Sequence, residues 1–142
     1  MPSRLSIDLA AVPASIPGAR YAVTDLCENL GIRGDLLNRL RIAATEACTN
    51  CVLHAYPEGT AAARFTLEAR VEREELVMIV RDEGVGMRSE TTKSPRGHGF
   101  RLLEHVADAV YISSRQGRGT RVGMRFSLPA TPVARTHLHP KV

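Results

Sequence analysis

The sequence has no tryptophan, and only 4% of its 142 residues are aromatic, so any core it builds is aliphatic. It has no apolar run near the roughly 18 residues that a membrane-spanning helix needs, and its N-terminus lacks the charged-then-apolar layout of a secretory signal. Cysteine is scarce and odd in number, three in all, in a chain long enough to bury a core without staples. A reducing, cytoplasmic setting is the expectation. Neither sign of charge dominates: 19 Lys and Arg stand against 15 Asp and Glu, a net +4, with arginine supplying nearly all the cations. That small, scattered excess suits phosphate ligands or acidic partners and gives no case for nucleic acid. What remains is 44% hydrophobic and 24% charged, the composition of a soluble globular chain about one domain long, with no internal repeat.

Periodicity supplies the elements. Leu5, Ile7 and Leu9 alternate with polar residues, as in a half-buried strand. Ile16, Ala19, Val23, Leu26 and Leu30 predict a helix ending near Gly31. Gly34-Asp35 opens a second helix with Asp35 as its cap, and Leu36, Leu40, Ala43, Ala44, Ala47 and Cys51 form its apolar face. Tyr56-Pro57-Glu58-Gly59 stops it. Phe65 to Val71 alternates as a half-wet strand, Glu72-Arg73-Glu74 reads as a hairpin turn, and the continuous run Leu76–Val80 predicts a central strand. Residues 82–99 are Gly-rich and polar. Phe100, Leu103, Val106 and Ala107 predict a short helix, followed by strands over Val110–Ser114 and Thr120–Leu128. Hairpins outnumber βαβ crossovers, so the expected fold is α+β: a two-layer α/β sandwich with a mixed, mainly antiparallel sheet and helices on one face. The domain spans residues 1–128. Residues 129–142, with three of the eight prolines and no periodicity, are expected to be a disordered tail.

Three patterns carry chemistry. Glu46, Asn50 and His54 recur every four residues and make one polar stripe along the second helix. Asn50 has an oxygen to offer a hard cation, and Glu46 a base for a hydroxyl within reach; a solvated helix face is the alternative. Arg81-Asp82-Glu83-Gly84-Val85-Gly86 directly follows the central strand. It is no dinucleotide fingerprint, because position 89 is Ser89. Its glycines let backbone approach a flat ligand, and Asp82 can accept from an exocyclic amine; a tight turn is the alternative. Gly97-His98-Gly99 opens the third helix beside Arg96, where free N–H groups and the positive dipole end favour anions; a glycine-rich helix start without a ligand is the alternative.

In order and setting these segments resemble the boxes of the GHKL ATPase superfamily. Glu46-Ala47-Cys48-Thr49-Asn50 with His54-Ala55-Tyr56 is similar to its N box, and Asp82-Glu83-Gly84-Val85-Gly86 to its adenine box. Gly97-His98-Gly99-Phe100 is similar to its phosphate-binding glycine box, and Gly119-Thr120 to its final Gly-Thr. The run from Thr45 to Tyr56 most resembles the bacterial serine-kinase anti-sigma factors, and the resemblance as a whole covers about residues 5–128. The resemblance implies a Bergerat-type ATP-binding fold with ATP and Mg²⁺ as cofactors. It implies that Asp82 binds the adenine amine, supported by Gly84, the Gly86 backbone and the Thr120 hydroxyl. Asn50 would coordinate Mg²⁺, Glu46 would be the catalytic base, and Arg96, Gly97 and Gly99 would meet the phosphates. It further implies a protein-serine kinase that sequesters a sigma factor and phosphorylates an anti-anti-sigma factor. Arg20 is then a candidate partner residue, and a homodimer through the first strand and helix is expected. The rival readings are a non-catalytic nucleotide-binding module and the ATPase partner of a separate sensor protein. Only ten residues, Met87 to Arg96, separate Gly86 from Gly97, where the family has a longer lid. A short lid would enclose the triphosphate less completely.

The other chemistry-bearing residues have a plainer reading. Cys48 and Cys51 form a C-x-x-C with His54 near, but they share the apolar sector of their helix, so core packing is expected over zinc. Cys27 is likewise expected in the core. His137 and His139 have no partner carboxylate for a metal. Arg121 and Arg125 are expected on a solvated strand face without the interleaved aromatics that single-stranded nucleic acid prefers.

Overall fold

The computed structural model describes residues 4–54, 63–83, 99–115 and 119–129. They form two layers: a five-stranded sheet in the order β1-β2-β3-β5-β4, and three helices on one face. The elements are β1 (Arg4–Ala10), α1 (Ser15–Asn29), α2 (Gly34–His54), β2 (Arg64–Glu72), β3 (Glu75–Asp82), α3 (Gly99–Val106), β4 (Ala109–Arg115) and β5 (Gly119–Ser127).

The expected two-layer α+β sandwich is present, and its sheet is antiparallel in all four pairings. Two features of the chain remove the parallel pair that a mixed sheet would hold. Between β1 and β2 the chain makes two helices, so it reverses three times and the strands emerge opposed. Between β3 and β4 it makes one described helix, which returns β4 in the direction of β3, but β5 inserts between them and opposes both.

Helix α1 buries Ala19, Val23, Leu26 and Cys27, the three-and-four spacing visible in the sequence. It ends at Asn29 with Leu30 as cap, and Gly31 beyond, at a φ of 81°, lets its own N–H reach the Glu28 carbonyl and the Ile32 N–H reach that of Cys27. This is a Schellman closure, and Ile32 is buried behind it. Asp35 falls in the first turn of α2 rather than at its cap, where it pairs with Arg39 at 3.1 Å. Arg39 also donates to the Val106 carbonyl at 2.9 Å, which ties α2 to the end of α3 and satisfies an orphan carbonyl there. The buried face of α2 is made of small residues around Leu40: Ala43, Ala44, Ala47, Cys48 and Cys51. They leave room for α2 to lie close to the sheet between α1 and α3.

The run Leu76–Val80 is the middle strand. Leu76, Met78 and Val80 belong to the core under the helices. Val77 and Ile79 point the other way, yet each is only 4% exposed. The register places Arg70 and Arg125 on either side of Val77, and the stems of such long side chains cover apolar neighbours. These arginines are held in a network on the outer face: Arg70 with Glu72 at 2.6 Å, and Arg125 with Glu75 at 2.8 Å and Glu72 at 3.6 Å. The hydrogen bond from Arg70 holds the Glu72 carboxyl below its ordinary range, with the nearby Arg125 adding to the effect.

The β2–β3 hairpin turns where the sequence placed it, with Arg73 at a φ of 58°. An L side chain is strained there, at a cost of about 1–2 kcal/mol. Arg73→Gly relieves that cost against glycine's greater unfolded entropy, so the melting temperature is expected to rise by about 1–3 °C. Thermal unfolding followed by circular dichroism checks it.

Candidate nucleotide site

The stripe on α2 runs along the border of the apolar sector that anchors the helix. Glu46 and Asn50 are half-buried on consecutive turns, about 6 Å apart along the axis. His54 ends the helix, and its side chain lies outside the described residues. The backbone here is reinforced by Thr49, whose hydroxyl donates to the Thr45 carbonyl at 2.6 Å. Glu46 opens onto a groove of about 450 Å³ lined also by Arg20, Asn38, Arg41, Ile42 and Thr45. Arg20 reaches across from α1 and donates to the Thr45 hydroxyl at 3.4 Å.

Asn50 lies deeper. Its amide nitrogen Nδ2 is buried and has no hydrogen-bond partner, a state that costs about 1–3 kcal/mol. A ligand oxygen would satisfy it, and the amide turned over would offer its carbonyl oxygen to a cation instead. Both fit a magnesium nucleotide, which brings its own phosphate oxygens and needs few protein ligands.

Asp82 closes the other side. It is the last inner-face residue of β3, continuing Leu76, Met78 and Val80, and the only polar or charged residue among the described ones that is buried, at 7% exposure. Its neighbours in register are Phe65 on β2 and Thr120 on β5. Oδ1 accepts from the Thr120 backbone N–H at 3.3 Å, and Oδ2 accepts from the Cys51 thiol at 3.5 Å. Because Cys51 follows Asn50 directly, that thiol brings the α2 stripe and the end of β3 to one place. A carboxylate so enclosed needs hydrogen-bond donors, and a base amine is a donor that fits it.

The backbone beside Asp82 has no slack. Gly119 has a φ of 93°, and a Cβ there would collide with the Asp82 carbonyl oxygen and stand 2.7 Å from the Glu83 Cα. The link from Thr120 to Asp82 runs through its backbone N–H. Its hydroxyl, expected at the adenine, sits 3.1 Å from the Ser114 hydroxyl, and Ser114 in turn donates to the Gly119 carbonyl at 3.5 Å. Ser114 was not singled out in the sequence, since nothing local marks its pairing with β5.

The structure therefore brings together Asn50, Asp82 and Thr120, with Glu46 one turn away. Gly99 starts α3, which packs on α2. Gly84, Gly86, Arg96 and Gly97 lie outside the described residues, as do the Met87–Arg96 segment, Tyr56–Gly59 and the tail from residue 130.

All three cysteines are free and buried, and no three His, Cys, Asp or Glu side chains gather at one point among the described residues. Burial pushes the Cys27 and Cys48 thiols up to about 12. Burial, and next the Asp82 charge, push Cys51 higher still. At pH 8 about 10⁻⁴ or less of each thiol is thiolate, the reactive form. Iodoacetamide at pH 8 is expected to leave the folded protein unlabelled and to modify three cysteines once denaturant is added, as intact-mass measurement would show.

An antiparallel sheet under three helices, with a buried aspartate at the sheet's end bonded to the residue that follows Asn50, suits an ATP-binding domain of the histidine-kinase type. The model of the histidine kinase-like ATPase domain matches residues 9–126, and the chain belongs to that family. Among its relatives, the anti-sigma F factor of Pasteuria penetrans is 28% identical over 140 residues, 91% of this chain and 93% of that protein. The anti-sigma F factor of Bacillus subtilis is 28% identical, over 86% of this chain and 90% of its own length. Among solved structures, the RsbU and RsbW domains of a Mycobacterium tuberculosis protein superpose with a TM-score of 0.71 at 18% identity. That match covers 92% of this chain and 34% of the other. The histidine kinase domain of a blue-light activated histidine kinase from Erythrobacter litoralis gives 0.55 at 17% identity. Both structures are alike in fold. No helix among the described residues is long and apolar enough to cross a membrane.

Proposed function

We propose that this protein is a cytoplasmic, ATP-binding anti-sigma factor and protein-serine kinase. It sequesters a sigma factor and phosphorylates a serine of an anti-anti-sigma factor. The observation that carries the reading is the convergence of Asn50, with its unpartnered buried amide, and Asp82 at the end of β3. The relatives named anti-sigma F factor along some nine-tenths of the chain supply the biological role.

In this reading Asp82 accepts from the adenine amine, with Gly84 and Gly86 framing the base. Asn50 holds the Mg²⁺ that neutralises the triphosphate when it is bound, and Arg96, Gly97 and Gly99 meet the phosphates. Glu46 takes the proton of the acceptor serine as its oxygen bonds to the γ-phosphorus. The bond to the β–γ bridging oxygen breaks and ADP leaves. Glu46 already lines a groove open to a second molecule, with Arg20 and Arg41 on its walls. Those cations suit an acidic partner segment. The place of β1 at the edge of the described sheet supports a homodimer built through β1 and α1.

Purified protein, Mg²⁺ and γ-labelled ATP, mixed with a candidate anti-anti-sigma protein, tests the reading. Label on a partner serine is the expected result. The short Met87–Arg96 segment favours one alternative, a module that binds nucleotide and partner without transfer. A stable nucleotide-dependent complex that never becomes labelled would establish that alternative.

A further inference from the structure

We infer that Arg39 is a positioning residue for the triphosphate: by holding the last carbonyl of α3 against α2, it sets where the other end of that helix meets the phosphates. The inference rests on the reading that Gly97 and Gly99 meet the phosphates, and adds a residue to it.

Helix α3 is a stub. Its eight residues make about two turns, and a helix so short holds its shape through packing and its ends rather than through propensity. One face is packed, with Leu103 and Val106 in the core. At its C-terminal end the Val106 carbonyl is an orphan acceptor of the last turn. Arg39 donates Nη1 to it at 2.9 Å, a charge-assisted bond that also complements the negative end of the helix dipole. Two residues on, the Asp108 N–H donates to the Arg125 carbonyl at 2.9 Å. The end of α3 is thus fixed from α2 on one side and from β5 on the other.

These anchors also set its direction. Arg125 lies five residues beyond Thr120 on β5, and Thr120 is level with Asp82, so α3 finishes about 16 Å along the sheet from the Asp82 end. Helix α2 has five residues before Arg39 and fifteen after it. Read backward from Val106, a helix that packs on α2 therefore runs toward Glu46 and Asn50. Gly99 is about 10 Å from Val106 along the axis. A tilt of about 10° at the anchored end moves Gly99 by nearly 2 Å, enough to take a backbone N–H out of hydrogen-bond range. The second partner of Arg39, Asp35 at 3.1 Å, has a side chain that is 89% exposed, and a pair so wet holds little. The Val106 bond carries the role.

The number of phosphates on the ligand separates this role from general stability. Calorimetry in Mg²⁺ with ATP, and with AMP, which lacks the β- and γ-phosphates, is run on the unaltered protein, Arg39→Ala, Arg39→Lys and Asp35→Asn. Thermal unfolding without nucleotide shows which variants are folded at the temperature used. Arg39→Ala is expected to weaken ATP about three- to tenfold and to leave AMP within about twofold, with Arg39→Lys between. Asp35→Asn removes the ion pair, keeps the carbonyl bond, and is expected to bind both nucleotides as the unaltered protein does. Equal weakening of ATP and AMP by Arg39→Ala, or weakening of neither, overturns the role of Arg39 and leaves the phosphate reading standing. A loss of ATP in Asp35→Asn as large as in Arg39→Ala overturns it too. If the unaltered protein binds AMP as tightly as ATP, the phosphate reading fails and this inference with it. Where Arg39→Ala does not fold, Arg39→Lys decides by the same outcomes.

Discussion

Replacing Glu46 by glutamine is expected to slow phosphoryl transfer about 10²–10⁴-fold, the usual worth of a positioned general base. ATP affinity is expected to stay within about twofold, because Glu46 acts on the acceptor and not on the nucleotide. The physical basis is its place. It is half-buried on the polar stripe of a long helix, at a groove roomy enough for part of another chain, and one turn before Asn50. Glutamine keeps the shape and removes the proton acceptor, so the groove itself is undisturbed. Asn50→Ala is the paired measurement with the opposite signature. It deletes the buried amide and with it Mg²⁺-dependent ATP affinity, whatever happens at the acceptor. Single-turnover transfer from labelled ATP and calorimetry with and without Mg²⁺ would separate the two. A matched loss of ATP binding in both variants would make Glu46 part of the nucleotide cradle instead of the base.

The elements were legible where a local period or run governs them. Leu5-Ile7-Leu9 is an edge strand and Leu76–Val80 the central one, because a half-buried strand alternates and a strand covered on both sides does not. The covering of Val77 was not legible, since it comes from arginines on β2 and β5 that only the register brings alongside. The wholly antiparallel sheet was hidden for a related reason: whether β4 or β5 sits beside β3 depends on where the chain crosses after residue 98. At the site, Asp82 and Asn50 stood out by residue type and neighbours. What the sequence could not convey was which atom does the work. Thr120 reaches Asp82 with its N–H while its hydroxyl meets Ser114. Cys51 has the composition of a core residue and is one, yet one turn of α2 also lays its sulfur on a carboxylate. Side-chain identity predicts burial well, but a hydrogen bond between a helix and a strand 31 residues apart is a property of their packing.

Asp82→Asn is expected to weaken ATP binding by about 1.5–3 kcal/mol, roughly 10- to 150-fold, through loss of a charge-assisted acceptor. The fold is expected to survive. Asp82 is 7% exposed, its described partners are a backbone N–H and a thiol, and the neutral amide is easier to bury than the carboxylate it replaces. The amide cannot serve all three donors. Its single oxygen can accept from Thr120 or from the base amine along one face, and its NH₂ then points at the other donor. Nor can the backbone shift to compensate, because Gly119 already lies against the Asp82 carbonyl with no room for a Cβ. Calorimetry with ATP and thermal unfolding without nucleotide decide the outcome together. A variant that melts with the unaltered protein and loses ATP but keeps purine riboside triphosphate places the loss at the amine. One that melts normally and binds ATP as before would take Asp82 out of the site, and the base would have to be sought elsewhere along β3 and β5.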